Sequence, residues 1–195
     1  MLRTYLLKID FASPEHTYRR LHGGGNGQPI AKAIGIKKYG LPLTVIDATA
    51  GLGSDAFVLA SLGCEVTMIE RNPQIAAKLQ AALDDAPDEI IDIINRMNLV
   101  VGDAIELLPN MQADVVYLDP MFPERTKSAL VKQDMRDLKD IVGNDADADA
   151  LLLPALSAAK RRAVVKRPKM APLLNNQQPH VSLPGKANRF DVYVP

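Results

Sequence analysis

The chain has 195 residues, 47% of them hydrophobic and 24% charged, which is the length of one domain with a buried core and too apolar for a disordered chain. A lone Cys64 excludes a disulfide scaffold and points to a reducing cytoplasm, while His16, His22 and His180 lack metal-ligand spacing. The 23 basic and 23 acidic side chains cancel, and no stretch has the ~20 apolar residues of a membrane span.

In chain order, His22-Gly-Gly-Gly-Asn-Gly27 reads as a loop before a helix at Pro29 to Ile34. This loop either offers backbone N–H groups to a phosphate or simply leads into the helix. Leu43 to Ile46 reads as a buried strand, Ser54 to Leu62 as a helix, Cys64 to Ile69 as a strand, and Pro73 to Leu83 as a helix with Asn72 at its N-cap. Strands near Leu99 to Val101 and at Asp114 to Leu118 flank a short helix at Ala104 to Leu108. Helices at Lys127 to Ile141 and Asp147 to Ala159, then strands at Ala163 to Lys166 and Arg189 to Val194, complete the pattern. Strands spaced by helices imply right-handed crossovers and a mostly parallel sheet covered on both faces.

Ligands in such sheets bind at the carboxyl ends of the strands. Asp47, Glu70, Asp103 and Asp119 each fall at such an end, so four acids converge on one crevice. Between the first strand and its helix lies Asp47-Ala-Thr-Ala-Gly-Leu-Gly-Ser-Asp-Ala56, where Gly51 and Gly53 allow a tight turn and a close ligand approach. Glu70 is placed to accept from both ribose hydroxyls of a nucleoside. The pair fits either a nicotinamide dinucleotide or S-adenosylmethionine. Asp47 and Asp55 would repel a pyrophosphate but suit the cationic amino-acid end and sulfonium of S-adenosylmethionine, and Asp103 is placed for the adenine amino group. A small nicotinamide-dependent oxidoreductase and an inactive RNA-binding relative are the alternatives.

The fourth strand runs into Asp119-Pro-Met-Phe-Pro123, similar to the Asn/Asp-Pro-Pro-aromatic motif of methyltransferases acting on exocyclic amino groups of bases. The Asp119 carboxylate and Pro120 carbonyl can accept the two amino hydrogens, freeing a delocalised nitrogen lone pair, while Phe122 stacks on the base.

The net charge divides. Residues 1–119 carry ten basic and fifteen acidic side chains, residues 120–195 thirteen and eight, and no acid occurs between Lys160 and Arg189. A basic half joined to an acidic half suggests two different surfaces on one domain, the basic one either a solvated face or a nucleic-acid face.

Asp47-Ala-Thr-Ala-Gly-Leu-Gly53, Ile69-Glu-Arg-Asn-Pro73, Tyr117-Leu-Asp-Pro-Met-Phe-Pro123, Lys127-Ser-Ala-Leu-Val-Lys132, Val164-Val-Lys-Arg-Pro168 and Arg189-Phe-Asp191 together closely resemble the RsmJ family. The resemblance runs from about Asp10 to Tyr193. It implies a class I S-adenosylmethionine-dependent methyltransferase, with a Rossmann-like seven-stranded sheet, acting on guanine N2 in small-subunit ribosomal RNA. By position it places cofactor contacts on Ser54, Asp55, Glu70, Arg71, Asp103, Ala104 and Asp119. Residues 1–42 are expected to form an N-terminal strand, the Gly-rich loop and a lead-in helix on the core, and 43–195 the catalytic core of a single domain. The expected partner is the RNA or the small subunit, with Lys127, Lys132, Arg136, Lys166, Arg167, Lys169, Lys186 and Arg189 as the expected RNA phosphate contacts, a monomeric enzyme, no metal and no membrane.

Overall fold

Apolar residues alternate between two faces along each central strand, and this alternation builds the molecule. A computed structural model describes residues 8–121 and 147–195. Its strands are β1 (Thr44–Asp47), β2 (Glu65–Glu70), β3 (Met97–Val101), β4 (Ala113–Leu118), β5 (Ala159–Pro168), β6 (Val181–Pro184) and β7 (Asn188–Tyr193). They form one sheet in the order β3-β2-β1-β4-β5-β7-β6, parallel through β5, with β7 and β6 antiparallel. The order reverses direction between β1 and β4, the switch point where such sheets bind ligands.

Val45, Val66, Met68, Val115 and Tyr117 face one layer, and Ile46, Ile69, Val116 and Leu118 the other. Each such Val, Ile, Leu or Met side chain contributes about 1.5–3 kcal/mol by leaving water. The first layer is filled by α2 (Pro29–Ile34), α4 (Ser54–Ser61), α5 (Pro73–Asp84) and α6 (Ile91–Ile94). The second is filled by α7 (Ala104–Leu107) and α8 (Leu152–Ala158). Asn72 caps α5 as expected, its side chain accepting from the Gln74 and Ile75 N–H groups, with Pro73 in the first turn.

Residues 8–42 contain no strand, and residues 1–7, where the expected N-terminal strand could also fall, lie outside the described residues. Several other expectations are corrected. Pro14–His22 forms a helix, α1, started by the Ser13 N-cap and Pro14, with none of its residues buried. A four-residue α3 (Ile36–Tyr39) follows α2. Arg162 ties this region to the sheet: it donates to the Ala33 carbonyl at 2.8 Å and to the Tyr39 hydroxyl at 2.7 Å. The helix expected from Asp147 begins as a 3-10 turn at Ala148–Leu151, and β5 starts four residues early and ends two late. β6, mostly exposed, had no apolar run to announce it. The helix expected at Lys127 to Ile141 lies outside the described residues. Among the described residues no helix is long and apolar enough to cross a membrane, and no group of three or more His, Cys, Asp or Glu could hold a metal ion.

Candidate active site at the carboxyl ends of the strands

Parallel register brings the four strand-end acids together. Asp47 ends β1 and Glu70 ends β2, Asp103 follows β3 through Gly102, and Asp119 follows β4 directly. Gly51, with φ 53, turns the loop after β1 back toward β2. Glu70 then holds two loops at once: its Oε2 accepts the Gly51 N–H at 2.9 Å and its Oε1 the Asn72 N–H at 2.7 Å. Thr49 links the next pair of strands, because its Oγ1 accepts the Asp119 N–H at 2.6 Å while its own N–H donates to Asp47 Oδ1.

Two clefts meet over these loops. The first, of about 560 Å³, is lined by Gly51, Glu70, Arg71, Asp103, Ala104 and Asp119, with Ile69 and Leu151 as apolar walls. Asp103 also caps α7, its Oδ1 accepting the Ile105 N–H at 2.8 Å. The second, of about 690 Å³, is lined by Asp47, Ser54, Asp55, Tyr117 and Lys166, and shares Thr49, Gly51, Asp119 and Met121 with the first. Gly53 lines neither. Its φ of 72 starts α4, and a Cβ there would lie 2.9 Å from Leu79 Cδ1 and 3.0 Å from Phe11 Cζ, so close packing explains this glycine.

The second cleft carries a charge network that the sequence did not announce. Lys166 Nζ donates to Asp55 Oδ2 and to Asp119 Oδ2, each at 2.7 Å. Arg19 donates to Asp55 Oδ1 at 3.0 Å, and the buried Tyr117 hydroxyl to Asp55 Oδ2 at 2.7 Å. Burial alone would raise the Asp55 pKa, yet Lys166 and Arg19 bring it down to about 2. Asp47 has no cation bonded to it; burial and the Asp55 charge push it up to about 8. Asp119 is raised by burial against the opposing pull of Lys166, and the two carboxylates hold Lys166 above its usual range despite its own burial. Asp119 Oδ1 has no partner among the described residues.

The basic candidates separate. Lys127, Lys132 and Arg136, with Phe122, lie outside the described residues. Lys169 and Lys186 are exposed. Lys166 belongs to the cleft rather than to an outer RNA face. Arg167 and Arg189 are also withdrawn from the surface: Arg167 is 3% exposed and donates to the Pro172 carbonyl, and Arg189 bonds Asp191 and the Lys169 and Ala171 carbonyls. The parallel register pairing Leu118 with Val165 sets Asp119 beside Lys166, which is why the lysine belongs with the acids. Asp147 was missed as well; it lines the first cleft and pairs with Arg71 at 2.7 Å.

Acids for a ribose and an adenine amino group in an apolar-walled cleft, leading to further acids for a cationic end, suit S-adenosylmethionine. A sheet of this order with such a crevice defines a class I S-adenosylmethionine-dependent methyltransferase. Comparison with known proteins agrees: the family of SAM-dependent methyltransferases matches residues 2–195. Ribosomal RNA small subunit methyltransferase J of Pseudoalteromonas atlantica is 53% identical, aligned over 95% of this chain and 76% of its own. That of Psychromonas ingrahamii is 55% identical, over 97% and 76%. A solved SAM-dependent methyltransferase from Neisseria gonorrhoeae, 41% identical, has a TM-score of 0.75 over 96% of this chain and 74% of its own. The chain belongs to the RsmJ family of S-adenosylmethionine-dependent methyltransferases, which decides against a nicotinamide cofactor.

Proposed function

We propose that this enzyme methylates the N2 amino group of a guanine in small-subunit ribosomal RNA. The reading is carried by Asp119, which lines both clefts and presents an unpartnered Oδ1 directly before the buried Pro120. The cofactor, when bound, supplies a methyl group already activated on a sulfonium. Glu70, Arg71, Asp103 and Ala104 hold its nucleoside, and Asp47, Gly51, Ser54 and Asp55 its amino-acid end. Asp119 Oδ1 and the Pro120 carbonyl accept the two guanine amino hydrogens and orient the nitrogen for attack. Lys166, donating to Asp119 Oδ2, favours the ionised carboxylate and leaves its Oδ1 an acceptor. The same Oδ1 takes the proton that the nitrogen sheds after methylation. Lys169 and Lys186 contact RNA phosphates, which orient the substrate without reading its sequence. Phe122 stacks on the target base, and Lys127, Lys132 and Arg136 extend the phosphate contacts. A ribosomal RNA substrate gives the enzyme a cytoplasmic workplace.

The test is nucleoside mass spectrometry after incubation with S-adenosylmethionine and either small-subunit RNA or small subunits. N2-methylguanosine is expected from the wild type and none from Asp119→Ala, with S-adenosylhomocysteine affinity retained within about threefold. Turnover in Asp119→Ala equal to wild type would remove Asp119 from the chemistry.

A further inference from the structure

Beyond the Lys166–Asp55 pair, on the side away from the cofactor cleft, opens a third cavity of about 790 Å³. It shares Arg19, Asp55 and Lys166 with the second cleft, so it adjoins the catalytic position without including Asp119. Ile30 and Phe190 give it apolar walls, Gln28 and Asn188 supply amides, and the exposed Lys186 contributes a cation.

Gln28 is the polar group that bears most on this cavity. The residue is 7% exposed and its side-chain amide has no hydrogen-bond partner among the described residues, but the amide atoms themselves are not sealed from solvent, so the amide opens on the cavity it lines. Its backbone does the local work, the carbonyl accepting the Lys32 N–H at the start of α2, while the side chain makes no capping bond. The Gly-rich segment keeps it there. A Cβ on Gly23 would lie 3.2 Å from Gln28 Cδ and collide with the Arg19 carbonyl. The following turn uses left-handed backbone at Gly24 and Gly25, with φ values of 92 and 51. Gly23 therefore leaves room for an amide whose donor and acceptor are open to a group from outside the chain.

A carboxamide offers a donor and an acceptor side by side, which is the complement of a nucleobase edge. Apolar walls suit the faces of a ring, and a cation suits the phosphate attached to it. We propose that this cavity holds a second nucleotide of the RNA substrate, a neighbour of the target guanine, with Gln28 bonded to its base edge. The inference rests on the RNA methylation proposed above. The shared Lys166 wall puts this nucleotide beside the catalytic one, and Gln28 then contributes to choosing the sequence that is methylated.

Gln28→Met removes the amide while keeping a flexible side chain of similar length. With the full chain and small-subunit RNA, KM for RNA is expected to rise about tenfold, the effect of losing one two-point base contact. The expected kcat and S-adenosylhomocysteine affinity are those of the wild type, and Tm is unchanged because the amide makes no hydrogen bond among the described residues. RNA fragments carrying an abasic site at each position near the target give the second arm. At one position the abasic site is expected to raise the wild-type KM about tenfold and to leave the Gln28→Met value unmoved. An unchanged KM in Gln28→Met, a lowered Tm, or additive effects at every position overturns the subsite. A wild-type chain that methylates no small-subunit RNA overturns the function beneath it, an outcome distinct from an active enzyme indifferent to Gln28.

Discussion

Replacing Lys166 with Met removes the cation that Asp55 and Asp119 share while roughly preserving the side chain's bulk. Each carboxylate loses a 2.7 Å charged hydrogen bond. Asp55 sits at about 2 instead of 3.8, a difference worth roughly 2.5 kcal/mol in favour of its ionised form, and Lys166 is the larger of the two cations responsible. Roughly 1–2 kcal/mol of that belongs to Lys166, so the variant is expected to melt several degrees lower at pH 7. Asp55 contributes its stability above pH ~4 in the wild type and loses it as the pH falls toward 2. Lys166, raised above its usual range, stays charged throughout pH 6–9, so its own titration cannot shape the rate profile there. Asp119 can: without Lys166 its already raised pKa climbs further, and more of it is protonated near neutrality. We expect kcat at pH 7 to fall roughly tenfold and to recover as the pH is raised, with the acidic limb displaced upward. Lys166→Arg should hold the limb near its wild-type position. Initial rates between pH 5.5 and 9 measure this directly, and a limb that stays in place while activity falls would falsify the charge-pairing role.

Glu70→Gln keeps the size of the side chain but points an NH2 group at one of the two N–H donors that Glu70 now accepts. Isothermal calorimetry should show S-adenosylhomocysteine affinity lowered at least tenfold, and an unaltered constant contradicts the role of Glu70. Asp47→Asn retains an acceptor for the Thr49 N–H and removes a carboxyl whose pKa burial and Asp55 push up to about 8. An acid raised in the folded state costs stability as the pH climbs from its unfolded value toward 8. The Asn variant should therefore gain on the wild type between about pH 4 and pH 8 in thermal melts and level off above, and a gap independent of pH argues against a protonated Asp47.

The central strands were legible because Val, Ile and Met occupy both faces of β1, β2 and β4, leaving little but a buried sheet for them to form. The strand-end rule then located Asp47, Glu70, Asp103 and Asp119. The same rule applied to β5 would have found Lys166, but its place in a basic run made it look like a phosphate contact. Arg19 and Tyr117 were beyond reach, since their partner Asp55 lies 36 and 62 residues away and only the folded chain joins them. α1 was missed despite Ser13 and Pro14, a readable start, because its side chains do not form a buried stripe. The exposed β6 depends on hydrogen bonding to β7 and has little apolar pattern of its own.

The guanidinium groups of Arg167 and Arg189 also alter how the enzyme should respond to electrolyte. Both fold inward onto carbonyls of residues 168–172, so they brace that turn and release no counterions when RNA arrives. Each phosphate contact steepens the fall of log affinity with log salt by roughly 0.7–0.9. Counting every lysine and arginine of the basic half thus overstates that slope by about 1.5 on account of these two alone. RNA binding should tolerate moderate salt better than the charge of the sequence suggests.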